Sequence, residues 1–159
     1  MPDDVKTLYD RDLLAWAKEQ AEALRSAARG GSDQALDWAN LAEEIEDLGA
    51  SQQSGLASQI RRIIEHLLKL ENSPAPDPRP GWWESIVGAR VEIEVLLERN
   101  PSLRGELPSI VAAEHKRAAR KAGLERYGEL KPAIAARLRA TTYTAEQILG
   151  DWFPPAPPA

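Results

Sequence analysis

Apolar side chains recur at helical spacing from residue 33 to residue 71, and this run constrains the fold more than any other feature of the chain. Leu41, Ile45 and Leu48 begin a stripe that Leu56, Ile60, Ile63 and Leu67 continue. Between them lies GASQQSG (49–55), which is polar and small but contains no proline. Its glycines, Gly49 and Gly55, each cost a helix about 1 kcal/mol against alanine. The expectation is one long helix, bent at that point. A stripe of this length must be covered by other helices, because period-2 alternation is nearly absent elsewhere in the chain.

Before the run, Leu13, Leu14, Ala17, Ala21, Leu24 and Ala28 form the stripe of a first helix. Thr7 or Asp10 is its expected cap, and Gly30-Gly31 stops it. Ser32 or Asp33 would cap the long helix. NSPAPDPRPG (72–81) is too rich in proline to be helical. A third helix is expected over 82–99. Asn100-Pro101 reads as an N-cap with proline at the first helical position, opening a fourth helix. Pro108 would kink or restart that helix, and Gly123 would end it. A weaker helix covers 130–140, and Thr144 with Gln147 forms a capping box for a last short turn. PPAPPA (154–159) is a polyproline-like, disordered tail. The reading is all-α: a single domain (1–153), a bundle of four main helices plus a short C-terminal helical segment tied down by Trp152 and Phe153. Trp82 and Trp83 are adjacent, so both cannot face one core; one must cover a loop or a partner.

With 159 residues, 43% hydrophobic and 28% charged, the chain can build a sizeable core. No apolar run approaches the ~20 residues that span a bilayer, and the acidic N-terminus lacks a secretory core. A cytoplasmic location is expected. Zero cysteine removes disulfides and thiolate chemistry. The net charge of −5 is unevenly spread: residues 1–80 hold 9 Lys/Arg against 15 Asp/Glu, and residues 115–139 hold 8 against 2. The acidic and basic parts can attract each other within the fold or across a homodimer. Nucleic-acid binding is disfavoured, since HKRAARK (115–121) spreads around its helix and the chain is acidic overall.

Few residues have the chemistry of a site. On a helical wheel, Glu43, Glu46 and Asp47 point away from the Leu41–Ile45–Leu48 stripe, and Glu44 sits at its shoulder. Arg90 and Glu94 fall inside the third helix's stripe (Trp83, Ile86, Val87, Ile93, Leu97). Glu114 falls inside the fourth (Leu107, Val111, Ala118). Charges buried in this way need partners. Arg90 is therefore expected to pair with Glu44, Glu94 or Glu114 as a structural cluster that fixes helix register. A metal site from His66, His115 and Glu44 is the minority reading. It requires the chain to turn at Gly49–Gly55. A dinuclear bundle centre lacks its Glu-x-x-His pairs, because Ile63 and Ala112 stand where the glutamates belong. No nucleophile elbow or phosphate loop is present.

Several stretches in order resemble a bacterial family, domain of unknown function 29: YDRDLLAWAKEQAEALR (9–25), DWANLAEEIEDLG (37–49), IIEHLLKL (63–70), NPSL (100–103) and YTAEQIL (143–149). The resemblance implies an all-helical bacterial protein and no activity. The pattern departs from the family near ELKPAIAARLRA (129–140) and at Pro108. The favoured expectation is a non-catalytic helical interaction or accessory protein without a cofactor, binding a protein partner or itself. A metal-dependent helical enzyme and a nucleic-acid accessory protein are the alternatives.

Overall fold

A computed structural model describes the backbone of residues 2–31, 35–73, 75–127 and 132–157, and the side chains of 7–31, 35–73, 75–122 and 136–157. Among these residues the elements are α1 (Pro2–Arg11), α2 (Leu13–Arg29), α3 (Trp38–Asn72), α4 (Arg79–Arg99), a 3-10 helix (Pro101–Glu106), α5 (Leu107–Tyr127), α6 (Pro132–Ala140) and α7 (Ala145–Leu149). There is no strand among them, and the fold is all-α. No described helix is long and apolar enough to cross a membrane. Two compact units divide the chain: 1–55 with 95–105, and 56–94 with 106–159.

In the first unit the start of α2 differs from the sequence reading. Neither Thr7 nor Asp10 caps it. Asp12 does, in extended backbone, its Oδ1 accepting from the Ala15 amide at 2.8 Å. Asp12 also accepts from the Ser102 amide (2.7 Å) and hydroxyl (3.0 Å). Asn100 does not cap a helix of its own as expected, because a 3-10 helix follows it. It is fully buried, accepts from the Leu14 amide at 3.0 Å, and donates to Gln52 (3.3 Å) and to the Leu96 carbonyl (2.9 Å). Two orphan donors at the head of α2 are thus satisfied by side chains, one of them 86 residues away in sequence. At the other end α2 stops where glycine predicts. The Gly30 amide bonds back to the last turn, and Gly31 takes the left-handed φ of 72° that L-residues avoid.

α3 is one helix of 35 residues and does not turn at Gly49–Gly55. Its N-terminal half buries a different face from the expected one. Leu41 and Leu48 are 40% and 43% exposed, while Ala42 is fully buried and Gly49 is buried. A Cβ at Gly49 would sit 3.0 Å from Leu14 Cδ1 and 3.1 Å from Ala17 Cβ. Ala17 and Ala21 of α2 are also fully buried. This seam of small residues lets two backbones approach closely, which a leucine seam would prevent. Asp37 holds the start of α3 by accepting from Asn40; Ser32 and Asp33 lie outside the described residues.

In the second unit Leu56, Ile60, Ile63, Ile64, Leu67, Leu68 and Leu70 of α3 are all fully buried, with Ile86 and Ile93 of α4. Pro108 falls in the first turn of α5, where a missing amide costs nothing, and Gly123 does not end that helix, which continues to Tyr127. The Thr144–Gln147 capping box is present in both directions, at 2.9 and 3.1 Å. α6 accounts for the extra helix expected over 130–140, of which residues 130 and 131 lie outside the described residues.

Candidate functional site

Arg90 was the residue on which a site would turn, and its partners are not carboxylates. Its Nε donates to the Ile148 carbonyl at 2.9 Å, and its Nη2 donates to the carbonyls of Gln147 (2.9 Å) and Trp152 (2.7 Å). The guanidinium lies 4.7 Å from the centre of the Phe153 ring. Phe153 stacks in turn on Trp83, with centroids 4.1 Å apart and planes 2° from parallel. Burial lowers the Arg90 pKa from its ordinary value, against a rise from Asp151. The three carbonyls sit at the open end of α7 and just beyond it, where helices leave acceptors unsatisfied. Arg90 is thus a clasp for the C-terminal segment, and Trp83 is the tryptophan that covers it.

The other members of the expected cluster separate. Glu44 and Glu94 are exposed. Glu114 is 2% exposed and pairs with Arg61 at 3.2 Å and with Arg117. Glu65, 5% exposed, pairs with Lys121 at 3.0 Å. Glu65 and Glu114 therefore each have a cation that reaches them from the unit's surface. This arrangement joins α3 to α5 and satisfies both buried charges.

His115 is 7% exposed, and its Nε2 finds no hydrogen-bond partner among the described residues. Burial lowers its pKa below the usual 6.5. Its ring lies 5.7 Å from that of Tyr143, whose hydroxyl donates to Glu71 at 2.6 Å. Burial first, and that bond second, push the Tyr143 hydroxyl pKa well above its ordinary range. Among the described residues no three His, Asp or Glu gather closely enough to hold a metal ion. α3 continues as helix through Gly49–Gly55, so the chain turn on which a Glu44–His66 pairing depended is not formed.

The feature the wheel missed lies on the first unit's surface. The outward flank of α3 carries Leu41 and Leu48 among Glu43, Glu44 and Asp47, all exposed, with Leu36 also exposed just before the helix. Glu46 pairs with Arg25 and is thereby set apart from the other carboxylates. The signal that could have found this flank was Ala42 and Gly49: small residues one heptad apart mark a closely packed seam as well as a leucine stripe does.

The model of the family described as a domain of unknown function, DUF29, matches residues 8–153. This chain belongs to the DUF29 family. It is also similar to an α-helical protein of unknown function from Rhodospirillum rubrum, with 25% identity and a TM-score of 0.67, over 90% of this chain and 89% of that one. Comparison with curated proteins gives no match. In this DUF29 protein Leu41 and Leu48 stand exposed on α3 beside Glu43, Glu44 and Asp47.

Proposed function

We propose that this chain is a non-catalytic accessory protein of the bacterial cytoplasm that binds another polypeptide through the outward flank of α3. The observation that supports this reading is the exposure of Leu41 and Leu48 on a helix whose neighbouring carboxylates, Glu43, Glu44 and Asp47, are exposed as well. Two leucines at heptad spacing present a ridge of the kind that helix-in-groove contacts use. The carboxylates select a partner with an apolar face edged by lysine or arginine, and they speed its approach.

The test compares wild type with Leu41→Glu/Leu48→Glu, each carrying a photo-crosslinker at Glu44, in cells of a DUF29-bearing bacterium. Wild type is expected to crosslink one discrete polypeptide whose capture falls with added salt, and the double variant, equally folded, to lose it. A crosslinking pattern identical for both proteins overturns the reading.

A further inference from the structure

The outward face of α4 in the second unit is poorly suited to water. Trp83, Val87 and Val91 stand one helical turn apart and are 44%, 51% and 53% exposed. Valine is a weaker helix former than alanine, lysine or glutamate, so a purely solvated face gains nothing from it. Gly88 lies between them, and a Cβ there would meet nothing within 4 Å. Alanine would fit and would favour the helix by about 1 kcal/mol, so the bare backbone serves no contact among the described residues. Beside this row stand Glu84 and Glu94, both exposed. The single cation between Trp83 and Glu94 is Arg90, which is buried.

The same unit carries the complementary surface. On α5, Ser109, Ala112, Ala113, Lys116 and Arg120 are exposed, and the one carboxylate between them, Glu114, is buried. That face combines small side chains with positive charge where the α4 face combines large apolar side chains with negative charge. We propose that a second copy of this chain covers the α4 face, with α4 of each copy seated on α5 of the other about a two-fold axis. Trp83, Val87 and Val91 then meet alanines, and Glu84 and Glu94 meet Lys116 and Arg120. The pairing uses none of the α3 residues proposed to bind a partner, so Leu41→Glu/Leu48→Glu leaves it unchanged.

Sedimentation equilibrium of the full chain tests the pairing through a charge exchange. Wild type is expected to be a monomer–dimer system. The charge-reversed α4 variant (Glu84→Lys/Glu94→Lys) and the charge-reversed α5 variant (Lys116→Glu/Arg120→Glu) are each expected to weaken the dimer by about tenfold or more. Mixed in equal amounts, the two reversed proteins form a mixed dimer in which both contacts again join opposite charges. Val91→Ala, which keeps the helix intact, is expected to weaken association without altering helical content. A wild type that stays monomeric at every concentration overturns the proposal. So does a dimer indifferent to both reversals, or a mixture of the two that stays monomeric.

Discussion

The two halves of α3 belong to one unbroken helix and bury opposite kinds of residue. From Leu56 onward the inward face is Leu and Ile, all fully buried. Before Gly55 the inward face is Ala42 and Gly49, and the leucines Leu41 and Leu48 are outside. The periodic pattern is similar in both halves; what differs is the neighbour. In the second unit the helix is surrounded by wide apolar surfaces, so large side chains fill the space. In the first unit α2 presents Leu14 and Ala17, and Gly49 lies against them at a distance that has no room for a leucine. A stripe of leucines is therefore weak evidence of burial where an equally periodic stripe of small residues runs beside it.

The sharpest test of that contrast pairs leucines from the two halves. Leu67→Ala is expected to cost about 2–5 kcal/mol in urea unfolding, as a filled core site does. Leu48→Ala is expected to change stability by about 0.5 kcal/mol or less. Equal losses at the two positions would break the comparison. Next in size, Gly49→Leu is expected to destabilise by about 1–3 kcal/mol through overpacking against Leu14 and Ala17, despite the better helix propensity of leucine. A more stable variant would show that the seam can open.

Glu114→Gln probes the second unit's buried charges. It leaves Arg61 and Arg117 without their acceptor, but both are partly solvated, so about 1–2 kcal/mol is expected in the same assay. The smallest effect concerns pH. His115 is buried with its folded-state pKa below 6.5, so the unfolded chain binds the proton more readily. The contribution of neutral His115 is complete above pH 6.5 and is lost as the pH falls from there toward the lower folded-state value. His115→Gln is expected to flatten that part of the stability–pH curve. An unchanged slope would place the dependence on other groups.

The helices were legible because their signals are local. Gly30-Gly31 stops α2, and Thr144 with Gln147 caps α7, through bonds that span one turn. The burial of Glu114 was legible too, since its place among Val111 and Ala118 follows from helical spacing. Its partner was not. Arg61 lies 53 residues earlier and was not singled out by any pattern of its own. Arg90 was correctly read as inward but wrongly matched, because wheel reasoning counts side-chain charges and does not count carbonyls freed at a helix end. Asn100 was read as the cap of its own helix, yet its side chain accepts at the head of α2.

Sequence alone determined that this chain is all-α, that it belongs with the DUF29 proteins, where α2 and α4 stop and where α7 starts. These follow from spacing and capping, which act over a few residues. Tertiary structure decided which face of α3 turns inward, which groups satisfy Arg90, and that Leu41, Leu48 and Val87 remain outside. Those outcomes depend on the shape and polarity of whatever packs opposite. In this chain the opposite surface is supplied by residues tens of positions away, beyond the reach of any local pattern.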